Sequence, residues 1–178
     1  MAGRREEERG KTGPIVGIVC GSKTDFPVLE KTVAILDQLG VSNELVALSA
    51  HRAPDQLAQY VEEAAGRGIE VIVAGAGGAA ALPGVVAAKT HLPVIGLPIP
   101  TEHLRGLDSL LSIVQMPKGV PVATVAIGGA ENAGLLAAQI LAVRYPEIRD
   151  RVKQYRADQT KAVLDSSAGS KNEPTRPR

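Results

Sequence analysis

The sequence predicts an α/β fold, in which a doubly wound, five-stranded parallel sheet lies between two layers of helices. Five short runs rich in Val, Ile and Leu alternate with segments of helical periodicity, an order typical of βαβ units. Right-handed crossovers place helices on both faces of such a sheet and give a three-layer α/β/α sandwich. Aromatic residues make up only 2% of the 178 residues, which favours the aliphatic core of a buried parallel sheet.

The strands are predicted from the apolar runs. Residues 14–20, PIVGIVC, are rich in β-branched side chains, and Gly21 and Ser22 follow directly. A short apolar run bounded by such residues is typical of a buried strand. The other strands are predicted over residues 44–49, 69–77, 93–99 and 120–128.

The helices are predicted from apolar spacing and from the residues that begin and end them. Residues 25–39 have near-helical apolar spacing and stop at Gly40, a residue suited to the position after a helix. Pro54 suits the first turn of a second helix. Further helices are expected from Pro83 to about Thr90 and over 107–116, 130–143 and 146–164.

These elements predict one α/β domain over residues 14–165. The polar first residues predict a disordered extension at 1–13, and the segment at 166–178 has almost no apolar residues and predicts a disordered tail. Segments of such composition cannot bury enough apolar surface to offset the entropy of ordering.

Composition excludes several classes of function. Lys and Arg number 20 against 19 Asp and Glu, so the net charge is +1, without the basic surplus of a general nucleic-acid or anionic-membrane binder. One cysteine excludes an internal disulfide, and with three histidines it leaves little for a metal site. No apolar run reaches the ~18 residues of a membrane span. We therefore expect a cytoplasmic protein.

Ligands of an open parallel sheet bind beyond the carboxyl ends of the strands, and the segment after the first predicted strand offers an anion site there. Ser22 and Thr24 supply hydroxyls, and amides at a helix N-terminus favour phosphate. Asp25 would repel a phosphate, so we assign it to sugar hydroxyls. The alternative is that Thr24 or Asp25 only caps the helix.

A histidine and an arginine lie side by side after the second predicted strand. Arg52 can pair bidentately with a phosphate, and Ser49 lies just before it. His51 offers an imidazole, the side chain best suited to general acid and base chemistry near neutral pH. The alternative is a solvated turn that Ser49 caps.

The segment at 75–84 consists almost entirely of Gly and Ala. It offers backbone N–H groups and close approach to a ligand. Tight packing of the third strand against the next helix is the alternative.

The segment at 112–119 contains Gln115, Met116 and Pro117. These apolar and amide groups could cover a heterocycle, or the segment could be an ordinary helix–strand connection. Taken together, the four segments predict a phosphorylated, sugar-containing small molecule, one imidazole that moves a proton, and no metal or nucleotide cofactor.

Six motifs in order, over about Pro14–Leu164, resemble the N5-carboxyaminoimidazole ribonucleotide mutase family of purine biosynthesis. They are GSKTDF, SAHRAP, AGAGGAA-LPG, PVIGLPI, GLDSLLSIVQMPKGVPVATVAIG and NAGLLAAQIL. The animal-type carboxylase, which takes carbon dioxide directly, has a different glycine-rich segment, so the mutase is favoured. The resemblance implies a flavodoxin-like fold, a homo-octamer with sites at subunit contacts, and a cofactor-free transfer of a carboxyl group from an exocyclic nitrogen to ring carbon C4.

The resemblance also implies a role for each candidate residue. His51 protonates the leaving nitrogen and later removes the C4 proton, while carbon dioxide stays in a closed pocket. The implied substrate contacts are Ser22, Ser49 and Arg52 with Thr24 nearby for the phosphate, Asp25 for the ribose, Gly77, Gly78 and Ala79 for carbon dioxide, and Gln115, Met116 and Pro117 for the base.

One residue departs from the family pattern. The family usually reads GGAAHLPG, whereas Ala81 stands here in place of the histidine. The change leaves open a slower mutase, another group such as His103 in that space, or a paralogous carboxylase or decarboxylase of a related ribonucleotide. A non-catalytic nucleotide-binding subunit is a further alternative, against which His51 and Arg52 argue.

Overall fold

A parallel sheet of five strands forms the centre of the molecule. The computed structural model describes residues 13–169. The strands lie in the order β2-β1-β3-β4-β5, with every pairing parallel, the flavodoxin-like order. This confirms the predicted fold class. The strands are β1 Val16–Cys20, β2 Asn43–Ala47, β3 Val71–Ala76, β4 Val94–Pro98 and β5 Ala123–Thr124.

Six α-helices connect or follow the strands within residues 13–169. Pro54 occupies the first turn of the second helix, and Gly68 ends that helix with a φ of 101°, a conformation that glycine adopts without steric cost. A short 3-10 turn, Lys23–Asp25, precedes the first helix. The helices are α1 Phe26–Gln38, α2 Pro54–Arg67, α3 Leu82–Ala88, α4 Leu107–Val114, α5 Ala130–Leu141 and α6 Pro146–Gly169. None of them is long and apolar enough to cross a membrane.

The two faces of the sheet bury separate apolar layers. Val16, Ile18 and Cys20 of β1 pack into the layer that contains the inner faces of α1, α5 and α6. Val19 belongs to the opposite layer, with α2, α3 and the end of α4. Because successive side chains of a strand point to opposite faces, this division produces the three-layer sandwich.

The last strand is shorter than predicted, and the last helix is longer. β5 has two residues instead of the nine of 120–128. It pairs with β4 at two positions, and Pro121, which precedes it, has no N–H to donate. The predicted end of the last helix at residue 164 is wrong. Residues 166–169, assigned to the tail, continue α6, where the Ser166 and Ser167 hydroxyls donate to the Val163 carbonyl. The remaining residues of both predicted disordered ends, 1–12 and 170–178, lie outside the described residues.

α1 and α5 approach each other closely at Gly134. The buried Thr32 hydroxyl donates to the Ala130 carbonyl at 2.8 Å. A Cβ on Gly134 would clash with the Ile35 side chain and lie 3.1 Å from the Thr32 carbonyl oxygen. The glycine is therefore required by the distance between the two helices.

We expect Gly134→Ala to lower the free energy of unfolding by ~1–3 kcal/mol, because the added methyl overpacks this contact. Gly66→Ala is the matched control, since Gly66 is also helical and a Cβ there meets nothing within 4 Å. It should raise stability by ~0.5–1 kcal/mol through helix propensity. Urea unfolding at fixed protein concentration measures the free energy of unfolding of both variants. The same change in Gly134→Ala and Gly66→Ala would contradict the close contact between α1 and α5.

Candidate active site

A cleft of about 510 Å³ opens at the carboxyl edge of the sheet. It lies at the ends of the first four strands, which include the switch point between β1 and β3 where a flavodoxin-like sheet binds ligands. Its volume is within the range of small-molecule sites. The cleft is lined by Gly21, Ser22, Asp25, Ser49, Ala50, His51, Arg52, Ala76, Gly77, Ala80, Ala81, Leu82, Ile99, Pro100 and Thr101.

The turn after β1 presents a serine hydroxyl and a carboxylate. Ser22 caps the 3-10 turn, and its Oγ accepts from the Thr24 amide at 3.3 Å and from the Thr24 hydroxyl at 2.9 Å. Asp25 makes no side-chain capping bond to α1 and lines the cleft. The capping residue is therefore Ser22, and Thr24 lies behind it, exposed and outside the cleft lining.

Burial gives the Asp25 carboxylate an unfavourable environment. Its pKa is raised, chiefly by desolvation, although a hydrogen bond to the Ser22 backbone and the positive charge of Arg52 act in the opposite direction. A half-buried carboxylate without a capping role costs folding free energy. Such a cost is typical of residues retained for binding or catalysis.

The turn after β2 is built around one hydroxyl. Ser49 Oγ accepts from the amides of His51 and Arg52 at 3.3 and 3.2 Å, and from Arg52 Nε at 3.4 Å. Arg52 Nη2 also donates to the Gly21 carbonyl at 3.0 Å. The guanidinium therefore joins the turns that follow β1 and β2, and its other N–H groups remain for a ligand.

The His51 imidazole is exposed at the wall of the cleft. Within residues 13–169 the ring makes no hydrogen bond or ion pair; the bond recorded for His51 is that of its amide. The ring is thus accessible from the cleft, and an imidazole is a side chain that can give or take a proton near neutral pH.

The glycine-rich segment forms a tight turn above β3. Gly78 and Ala80 have φ values of 67° and 26°, and a residue other than glycine rarely adopts the second. Gly77 and Ala80 line the cleft. Gly78 and Ala79 do not, and the Gly78 amide donates to Ser109 Oγ at 3.0 Å. That amide is therefore used inside the protein.

Ala81 is half-buried at the start of α3 and lines the cleft. Its methyl group leaves this wall without a polar side chain. His103, the residue suggested for the space beside Ala81, is exposed and is not part of the lining. Within this chain, His103 does not replace the missing imidazole.

Gln115, Met116 and Pro117 lie outside the cleft of the single chain. Gln115 and Pro117 are exposed. Met116 packs on α3, where a Cβ added to Gly84 would lie 3.1 Å from its Cε. The segment that was predicted to cover a heterocycle thus contacts α3 through Met116 and does not line the cleft that contains His51.

The structure thus brings together half of the predicted site residues. Those that share the cleft are Ser22, Asp25, Ser49, His51, Arg52 and Gly77. Sequence reasoning missed the wall formed by Ile99, Pro100 and Thr101, which directly follows β4. The rule that parallel strands present their carboxyl ends at one edge would have found this wall.

Cys20 lies at the base of the site but is not part of its surface. The thiol is fully buried and donates to the Ser22 carbonyl at 3.2 Å. Burial raises the pKa of Cys20 to about 11, so the reactive thiolate is scarce at neutral pH. Within residues 13–169, no three His, Cys, Asp or Glu side chains are grouped so that they could hold a metal ion.

Residues 15–162 match the family model described as AIR carboxylase. The chain belongs to the AIR carboxylase family. An N5-carboxyaminoimidazole ribonucleotide mutase of Pseudomonas aeruginosa is 59% identical over 154 residues, which cover 85% of this chain and 94% of the relative. A Thermotoga maritima protein of the same name is 56% identical over 154 residues, 86% of this chain and 90% of the relative.

Solved structures support the family assignment. The crystal structure of Treponema denticola PurE matches with a TM-score of 0.81 and 28% identity, and the match covers 90% of this chain and 99% of that chain. These matches confirm the resemblance that the motifs indicate, and the AIR carboxylase family therefore provides the context for the cleft.

The stability of this family member should increase when Asp25 loses its charge. Because burial raises the folded-state pKa of Asp25, its ionised form costs folding free energy at neutral pH, and the cost disappears as the pH falls to the ~3.9 of an unfolded aspartic acid. We expect Asp25→Asn to raise the urea midpoint at pH 7–8, by an amount that shrinks toward pH 4.

Asp55→Asn is the control for this prediction. Asp55 is an exposed carboxylate in the first turn of α2, where negative charge is favourable, so its removal should lower stability slightly. A lower midpoint for Asp25→Asn at pH 7–8 would contradict the assigned cost of burial.

Proposed function

We propose that this chain is an N5-carboxyaminoimidazole ribonucleotide mutase, an isomerase of purine biosynthesis. The relatives that bear this name support the proposal, at 59%, 56% and 57% identity over most of the chain. One observation carries it physically: the accessible imidazole of His51 lies beside Arg52, whose guanidinium is fixed by Ser49 and Gly21.

The polar end of the cleft suits a phosphate. Ser49 Oγ already accepts from three N–H groups, and Ser22 Oγ accepts from two donors on Thr24. Both hydroxyls therefore keep their proton to donate. Together with Arg52, they offer donors to a dianion, and Asp25 on the same cleft offers an acceptor to ribose hydroxyls.

The proposed reaction uses His51 twice. As the bond between the exocyclic nitrogen and the carboxyl carbon breaks, its electron pair stays on nitrogen, the imidazolium protonates that nitrogen, and carbon dioxide is released. Ring carbon C4 then attacks the carbon dioxide to form the new carbon–carbon bond. The neutral imidazole removes the C4 proton, so one proton leaves His51 and one returns. This route requires no cofactor.

The apolar part of the lining suits the one-carbon intermediate. The cleft is lined in part by Ala76, Gly77, Ala80, Leu82 and Ile99, small or apolar residues that offer little hydration. Exclusion of water and close confinement favour recapture of carbon dioxide over its escape.

We expect His51→Asn to lower kcat by ~10²–10⁴, the usual contribution of a positioned general acid or base, with KM changed much less. An ultraviolet assay of the N-carboxylated nucleotide measures both constants. His91→Asn is the matched control, because His91 is exposed and outside the cleft, and it should retain full activity. Unchanged kcat in His51→Asn would reject the mechanism.

A carboxylase or decarboxylase of a related ribonucleotide is the second candidate. Ala81 favours it, because the cleft wall lacks a polar side chain at that position. The same assay is repeated with the decarboxylated nucleotide and bicarbonate. A mutase turns over the N-carboxylated substrate far faster than this second mixture. Wild-type chain that turns over neither mixture, but carboxylates or decarboxylates another imidazole or pyridine ribonucleotide, would favour this candidate.

We further propose a cytoplasmic homo-octamer with sites at subunit contacts. Leu104, Leu107, Leu111 and Val114 are 47–57% exposed on α4 and the loop before it. Val163 and Leu164 of α6 are each 63% exposed. Exposed apolar patches of this kind often mark protein interfaces. A neighbouring chain could then supply the base-covering Gln115–Pro117 segment, which the single chain keeps outside its own cleft.

We expect light scattering to give a mass close to eight times the 18.5 kDa of the chain. Leu107→Glu combined with Leu111→Glu should dissociate the assembly and abolish transfer, because charges would be buried at the contact. Val143→Glu, at a residue that is 88% exposed on another surface, should change neither. A stable, active monomer would contradict the proposed assembly.

A further inference from the structure

Two polar side chains within residues 13–169 are fully buried, Thr32 and Ser109. Thr32 joins two helices on the face of the sheet occupied by α1 and α5. Ser109 lies in the first turn of α4 and outside the cleft lining. The cleft chemistry described above does not use it.

The Ser109 hydroxyl joins two walls of the cleft. It accepts from the Gly78 amide at 3.0 Å and donates to the Ile99 carbonyl at 2.8 Å. Gly78 lies next to Gly77, which lines the cleft, and Ile99 lines it directly. One buried hydroxyl thus fixes the distance between the glycine-rich turn and the end of β4.

This contact is one of the few hydrogen bonds of the turn at residues 77–80. Gly78 and Ala80 have positive φ values; Ala80 is buried in the apolar layer of α2 and α3, whereas Gly78 has no side chain to pack. Beyond the bond to Ser109, the described hydrogen bonds of the turn are a 3.3 Å bond within it and a 3.4 Å bond from the exposed Ser112. Loss of the Ser109 hydroxyl would remove the shortest of these bonds and leave the Gly78 amide without that partner.

Asp108, the residue before Ser109, also holds a cleft-lining residue through a hydrogen bond. Asp108 accepts from the Thr101 hydroxyl at 2.7 Å, and that hydroxyl accepts from the Gly106 amide at 3.1 Å. Thr101 lines the cleft. The first turn of α4 therefore bonds to the cleft wall through two successive residues, Asp108 and Ser109.

We propose that Ser109 is a positioning residue that keeps the one-carbon intermediate in the cleft. It acts through Gly78 and Ile99, by holding the apolar walls at the spacing that confines carbon dioxide. The inference rests on the proposed mutase function. In that function, Ser109 influences how much of the carbon dioxide is recaptured, and it takes no part in breaking or forming bonds.

Retention of a labelled carboxyl group tests this inference. Wild type and Ser109→Ala are given substrate with a ¹³C-labelled carboxyl in unlabelled bicarbonate, and the label in the product is compared with the substrate consumed. Loss of a buried hydrogen-bond partner typically changes an equilibrium by ~10-fold, so we expect the ratio of retained to lost label to fall about tenfold in Ser109→Ala. Ser109→Cys, which keeps a weaker donor and acceptor, should recover part of the retention.

Thr32→Val is the matched control, because it also removes a fully buried hydroxyl but lies away from the cleft. It should lower thermal stability as Ser109→Ala does and leave label retention unchanged. Equal retention in Ser109→Ala and Thr32→Val would overturn the inference. If Ser109→Ala does not fold, Ser109→Cys replaces it in this comparison.

Hydrogen exchange separates a failure of this inference from a failure of the proposed function. If the wild-type chain transfers no carboxyl group, the proposed mutase function is rejected. The hydrogen exchange rate of the Gly78 amide tests the role of Ser109 even then, because it requires no enzyme activity. Its exchange should be at least ~10-fold faster in Ser109→Ala and unchanged in Thr32→Val. Unchanged exchange of Gly78 in Ser109→Ala would overturn the positioning role.

Discussion

The hydrogen bonds of Arg52 set the geometry on which the cleft depends. Its guanidinium reaches from the turn after β2 to the Gly21 carbonyl at the end of β1, and Ser49 fixes its Nε. Neighbouring parallel strands make this bridge possible, because their carboxyl ends lie at the same edge of the sheet. The cation that would hold a phosphate is thereby fixed in place before a ligand arrives, which lowers the entropic cost of binding.

The fold was predictable because strong local signals agreed with it. Val, Ile and Leu runs gave the five strands, while Gly40 and Pro54 marked helix ends where the structure has them. The length of β5 was overestimated, because an apolar run does not show how many of its residues pair with the neighbouring strand at the edge of a sheet. The length of α6 was underestimated, because Ser166 and Ser167 are polar residues typical of a disordered tail. In the structure their hydroxyls donate to the backbone of the helix.

The lining of the cleft was predictable for residues in the turns that follow a strand. Ser22, Asp25, Ser49, His51 and Arg52 share the cleft for this reason. Contacts formed at a distance were not predictable, such as the Gly78 amide bound to Ser109, 31 residues away. Nor does a sequence show whether the Gln115–Pro117 segment meets the cleft of its own chain or of a neighbour.

The cleft limits which group can move protons. The ionisable side chains among its described lining residues are Asp25, His51 and Arg52. Arg52 stays protonated, and Asp25 is the residue that we propose for the sugar. Ala81 adds no proton-bearing group to the wall. A carboxyl transfer needs one proton delivered and one removed, and a single imidazole does both if the carbon dioxide stays while the proton changes place. In the mechanism proposed for this cleft, confinement of carbon dioxide is therefore what allows one imidazole to serve as both acid and base.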